Sequence, residues 1–130
     1  MSAIASSLDT GSPAAAPSDT VLSARARRLA MQHSSADALE ILRVAIKEEF
    51  SGKIALVSSF GAESAALLHL VAQIDKDIPV VFLETGKHFA QTLSYRKKLA
   101  ANLGLTNVRD IAPDATALGS RDPQGDLWKR

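Results

Sequence analysis

Residues 53–64, KIALVSSFGAES, constrain the fold of this chain more than any other stretch. A short apolar run, Ile54 to Val57, is rich in β-branched residues and suits a buried strand. It is followed at once by Ser58, Ser59, Phe60, Gly61, Ala62, Glu63 and Ser64. A longer apolar run, Ala65 to Ala72, comes next. Its polar interruptions, His69, Gln73 and Lys76, share one helical face. The stretch therefore predicts strand, tight hydroxyl-rich turn, helix. Such a turn aims free backbone N–H groups and the positive end of a helix dipole at the space above the sheet edge. An anion, phosphate above all, is the natural guest there. Gly61 is expected to let the backbone approach that guest closely and to tolerate positive φ.

The rest of the chain alternates in the same way. Residues 1–20, rich in Ser, Ala, Pro and Thr, read as a disordered tail, and 21–130 as a partial nucleotide-binding α/β domain. Residues 21–33 are helical in pattern. Their Arg25, Arg27 and Arg28 fit a solvated helix face better than a phosphate site. Ser34 or Ser35 is expected to cap a second helix running to about Phe50, with Leu39, Leu42, Ile46 and Phe50 as its apolar stripe. After the first turn, Pro79 opens a second strand, Val80 to Leu83, which ends in Glu84, Thr85 and Gly86. A helix over about 89–103 follows, striped by Phe89, Leu93, Ala100 and Leu103 and stopped by Gly104. Leu105 to Ile111 is a weaker third strand, and 112–130 a polar tail. This alternation predicts a parallel α/β sheet with right-handed crossovers. Ligands in such sheets bind beyond the carboxyl ends of the strands, where both turns fall. Three strands make a thin sheet, so the chain is expected to be the front, truncated part of a larger fold.

Composition closes off several functions. The 130 residues suit one domain, and a net charge of +1 gives no reason to expect nucleic acid or an acidic membrane as partner. Aromatics, at 5%, are too few for a base-stacking platform. No apolar run reaches spanning length, and the first twenty residues resemble neither a secretory signal nor an Arg-rich transit peptide. The expected location is cytoplasmic. There is no cysteine, which removes disulfides, thiolate metal sites and cysteine nucleophiles from this chain. No metal site is visible by spacing, since His33, His69 and His88 do not cluster.

The turns carry the chemistry. Neither GxxxxGK[ST] nor GxGxxG is present. What remains in the first turn is a set of hydroxyls, Ser58, Ser59 and Ser64, around Gly61, which can grip phosphate or sulfate oxygens without a lysine. The same residues also fit an N-cap serine in an ordinary β–α connection. The second turn, LETGKH, tilts the balance. Glu84 ends a buried strand and faces the same edge, where its carboxylate can accept from a ribose hydroxyl or orient loop amides. Thr85 adds a hydroxyl, Gly86 a flexible approach and Lys87 a positive charge, although Thr85 and Gly86 also fit a plain turn and Lys87 a solvated side chain. His88 lies near this site without a catalytic assignment, and His69 reads as a helix-surface residue. Arg96, on the apolar stripe of the 89–103 helix, either reaches along the helix toward the site or, as is commoner for such an arginine, snorkels to the rim.

Taken together, SSFGAES and, about twenty residues on, VVFLETGKHFAQTLSYRKKLAANLGL resemble the phosphoadenylyl-sulfate and adenylyl-sulfate reductase family. The resemblance covers roughly residues 35–130. Glu84 stands where the family often has Asp, and Ala90 and Gln91 where it often has Pro and Glu; Thr92, Tyr95 and Arg96 fit. The resemblance implies an adenine-nucleotide α-hydrolase-like (Rossmann-like) fold. It also implies reduction of adenylyl sulfate, or of its 3′-phosphorylated form, to sulfite in sulfate assimilation. There a cysteine thiolate attacks the activated sulfur and displaces the nucleotide. Thioredoxin or glutaredoxin then reduces the enzyme thiosulfonate. By this resemblance the substrate-binding residues are Ser58, Ser59, Phe60, Gly61, Glu63, Ser64, Glu84, Thr85, Gly86 and Lys87. No catalytic residue and no cofactor are assigned to this chain; an iron–sulfur cluster belongs to some longer members. The ending GDLWKR resembles the segment preceding the cluster cysteines in the adenylyl-sulfate branch, so adenylyl sulfate is the expected substrate. Two other readings stay open: a non-catalytic nucleotide-binding module, and an ATP pyrophosphatase of the sulfate adenylyltransferase type. Phe60 and Glu63 stand against the second, whose loop has SGGxDS.

Overall fold

A computed structural model describes residues 18–129, so the expected tail over 1–20 lies almost wholly outside the described residues. The chain divides into two compact units between Ser35 and Ala36. Among the described residues the first contains one helix, α1 (Asp19–Gln32), none of whose residues is buried. The second holds everything else.

In the second unit the described element order is helix, strand, helix, strand, helix, strand, helix, with a final 3₁₀ turn over Leu127–Lys129. Among the described residues the sheet has three strands, β1 (Leu56–Val57), β2 (Val80–Leu83) and β3 (Val108–Ile111), in that spatial order and all parallel. Leu56 pairs with Val80, which pairs with Val108, so these three lie on one face together with Phe82. That face carries the core. Leu68 and Val71 of α3 (Ala62–Ile74) and Leu93, Ala100 and Leu103 of α4 (Ala90–Leu103) pack against it, with Ile46 beside them. Both crossover helices thus cover the same side. The expected parallel α/β sheet is what the chain forms.

Several local expectations are corrected. Asp37, not Ser34 or Ser35, caps the second helix, accepting from Glu40 N at 2.8 Å. That helix, α2 (Ala38–Arg43), passes into a π-helix over Val44–Glu49, ending with Phe50 N on Ala45 O. Wider i→i+5 turns break the 3.6 period, so the expected stripe loses Phe50 to solvent while Val44 enters the core. The Ile54–Val57 strand is shorter than expected and not buried throughout. Val57 is 63% exposed, because the sheet face opposite the helices is open among the described residues. Phe89 is likewise exposed as the extended N-cap of α4. The polar tail holds a further helix, α5 (Ala115–Arg121), capped by Asp114 through Ala117 N. Gly104 behaves as expected: at φ +70° it closes a Schellman turn, with Leu105 N on Ala100 O and Gly104 N on Ala101 O. No helix of the described residues is long and apolar enough to cross a membrane.

Candidate nucleotide site

The two bends leave neighbouring strands at the same edge. Ser58 N–H donates to Val81 O at 3.0 Å, and Glu84 N–H donates to Ile111 O at 2.9 Å. Each bend therefore starts from a backbone bond to the next strand, and residues 58–64 and 84–88 rise side by side at the carboxyl end of the sheet.

Their internal chemistry is the same twice over. In the first bend Ser58 Oγ accepts from Phe60 N at 3.0 Å, and Ser59 Oγ from Gly61 N at 3.4 Å. In the second, Glu84 Oε1 accepts from Gly86 N at 2.7 Å, and Thr85 Oγ1 from Lys87 N at 3.3 Å. Oxygens of four consecutive-pair side chains thus hold the amides two residues ahead, as Asx- and Ser/Thr-turns do. Of the two roles open to the Glu84 carboxylate, this conformation shows it orienting a loop amide. Further on, Ser64 N–H turns to Gly61 O at 3.0 Å. Gly61, the N-cap of α3, gives no side-chain cap to the first amides of α3.

The backbone strain sits elsewhere than expected. Gly61 has an ordinary φ of −68°, whereas Phe60 is left-handed at +56°. An L residue there costs on the order of 1–2 kcal/mol. Burial of the Phe60 ring offsets it: the ring meets Phe82 edge to face, centroids 5.9 Å apart. Gly86, at φ +70°, is the glycine that its bend requires. Ser58 is buried, Ser59 and Glu63 are exposed, and Ser64 and Glu84 are half-buried. Lys87 is exposed, its Nζ 3.5 Å from Gly125 O. The ten expected site residues are therefore brought to one edge.

Sequence reasoning undervalued Arg96. It does not snorkel to the rim: its side chain is only 12% exposed, with Nη1 bonded to Asp110 Oδ1 and Nη2 to Oδ2 at 3.2 Å. Its guanidinium carbon lies 4.6 Å from the Phe82 ring centroid. His88 is also engaged, with Nε2 2.9 Å from Leu83 O and its ring centroid 4.7 Å from that of Phe82. The available signal was an arginine at a stripe position between Leu93 and Ala100.

The phosphoadenosine phosphosulfate reductase domain matches residues 53–130, more than half of the chain and both bends. The chain belongs to the phosphoadenosine phosphosulfate reductase domain family. Its fold is accordingly of the adenine-nucleotide α-hydrolase-like, Rossmann-like class. The chain is 48% identical over 109 residues to a protein of Mesorhizobium japonicum named adenosine 5′-phosphosulfate reductase, covering 84% of this chain and 43% of that one. To the protein of the same name from Chelativorans sp. it is 50% identical over 98 residues, 75% of this chain and 39% of the relative. To the phosphoadenosine 5′-phosphosulfate reductase of Alkalilimnicola ehrlichii it is 38% identical over 99 residues, 76% and 40% of the two. The chain spans about two fifths of the length of these relatives.

Proposed function

We propose that this chain is the nucleotide-binding part of an assimilatory reductase that converts adenylyl sulfate to sulfite. The observation that carries the reading is the side-by-side placement of two amide-presenting bends on adjacent strands. In this reading the α3 N-terminus and the Ser58–Ser64 bend hold the phosphosulfate, whose charge suits both the dipole and the free amides. Residues Glu84 to Lys87 hold the nucleotide beside it, with Lys87 supplying positive charge. Adenylyl sulfate is preferred over its 3′-phosphorylated form because the two relatives named for it are 48% and 50% identical, against 38% for the relative named for the other.

The redox step calls for a sulfur nucleophile. A thiolate takes the sulfonate from the nucleotide, AMP leaves, and a dithiol partner of the thioredoxin or glutaredoxin class reduces the thiosulfonate to sulfite and is itself oxidised. This chain has no cysteine to supply that thiolate. Nor does its donor set fit an iron–sulfur cluster, which cysteine thiolates hold. The role assigned to these residues is binding and orientation. A cytoplasmic setting suits that chemistry, in which thiols are kept reduced.

Titration calorimetry on the purified chain tests the reading. Adenosine 5′-phosphosulfate is expected to bind, its 3′-phosphorylated form more weakly, and ATP to remain uncleaved. Release of pyrophosphate from ATP would instead favour the ATP pyrophosphatase reading, and absence of any nucleotide binding would remove both.

A further inference from the structure

The bonds inside each bend span two residues, so they fix the shape of that bend and not its distance from the other. The sheet, through Ser58 N–H on Val81 O, fixes where the two bends begin, but a further contact is needed to hold their outer parts in register. Phe82 is placed to do so. It sits next to last in β2, its ring fully buried on the helix-covered face. Phe60 of the first bend meets it edge to face at 5.9 Å and 69°. His88, closing the second bend, lies over it at 4.7 Å and 37°. The same imidazole is tied to the strand end through Leu83 O, 2.9 Å from Nε2. Arg96 adds a third contact at 4.6 Å and is itself anchored to Asp110 on β3.

We propose that Phe82 couples the two bends, and that Phe60 and His88 act as positioning residues that hold the ligand-facing amides of one bend in register with those of the other. The proposal rests on the reading of both bends as one site. Phe60 is the sensitive end. Its φ of +56° is held from two sides, by the Ser58 Oγ bond to its amide and by the packing of its ring on Phe82. Loss of a contact on Phe82 lets that ring shift, the left-handed backbone relax and the following amides, Gly61 to Glu63, turn. Among the described residues no hydrogen bond joins His88 to those amides, so an effect of residue 88 on them passes either through the Phe82 ring or through Leu83 O, and we assign it to the ring.

The test needs no ligand at first. Amide spectra of the ¹⁵N-labelled chain are compared for wild type, His88→Ala, His88→Phe and His88→Gln, with Lys98→Ala on the exposed side of α4 as control. His88→Ala is expected to shift or broaden the Phe60–Glu63 amides. His88→Phe, which keeps a ring, restores them; His88→Gln, which keeps only a donor for Leu83 O, does not. Unmoved amides in His88→Ala, or restoration by His88→Gln equal to that by His88→Phe, overturn the coupling. Affinity for adenosine 5′-phosphosulfate then tests the positioning role. His88→Ala is expected to lose about tenfold at unchanged melting temperature, the scale of a small misplacement of binding groups. Moved amides with wild-type affinity overturn that role. A wild-type chain that does not bind this nucleotide refutes the single-site reading instead, and the amide spectra still decide the coupling.

Discussion

Gly86 and Gly104 share a φ of +70° but stand at opposite ends of the strands they flank. An alanine at Gly86 meets open space, so only backbone strain is felt; at Gly104 its Cβ also comes within 3.4 Å of the flexible Lys76 side chain. Each substitution is expected to lower unfolding stability by about 1 kcal/mol, read from urea melts. They part in function. Gly86→Ala should weaken binding of adenosine 5′-phosphosulfate, and Gly104→Ala should leave it unchanged; equal losses would mean that the second bend is not at the ligand. A titratable pair adds a pH test. The Lys47 ammonium, 2.8 Å from Asp75 Oδ2, holds the Asp75 carboxyl below its usual range, with Asp77 N–H assisting. A carboxyl depressed in the folded state stabilises above its unfolded pKa of about 4, and that contribution fades as the pH falls through the lower folded value. The pair is largely solvated, so Lys47→Ala should cost no more than about 0.5 kcal/mol at pH 7, and progressively less as the pH falls below about 4. At this scale the sequence named the residues at the site edge but misplaced the strain. Nothing local marks Phe60 as left-handed, since its partner Phe82 is 22 positions away and only the sheet brings them together.

Among the elements, α4 shows how a charged side chain becomes part of a core edge. Arg96 lies on the apolar stripe, bonds Asp110 with both Nη atoms and covers Phe82. A lysine keeps the charge yet loses the planar fork and the stacking surface. Arg96→Lys is therefore expected to destabilise by about 1–2 kcal/mol in denaturant melts, and to do so far less when Asp110→Asn is already present. Equal costs in both backgrounds would show that the two residues do not act together. Element order was legible because periods of 2 and 3.6 are written into apolar positions that face one core. The π-helix over Val44–Glu49 was not, because its sequence, VAIKEE, is equally good α-helix; the wider turn leaves both Val44 and Ile46 buried. The helix α5 was hidden by Gly119 and nearby prolines, although Asp114 three residues before Ala117 is a regular cap signal.

For the whole molecule, the two sheet faces differ. One holds the core. The other presents Val57, Leu83 and Ile111 at 63%, 54% and 53% exposure, among the described residues. Parallel sheets normally have both faces covered. The purified 130-residue chain should therefore bind an apolar dye such as ANS in its folded state, and Val57→Thr, Leu83→Thr and Ile111→Thr together should reduce that signal without lowering nucleotide affinity. Dye binding that is unaffected would place the exposed apolar surface elsewhere. The central claim, that residues from two separate crossovers form one oxyanion site, is met most directly by an amide-resolved titration of the labelled chain with adenosine 5′-phosphosulfate. Saturating shifts at both 60–64 and 84–88, with one common dissociation constant, are the expected result. Shifts confined to one bend, or two bends titrating with different constants, would contradict it.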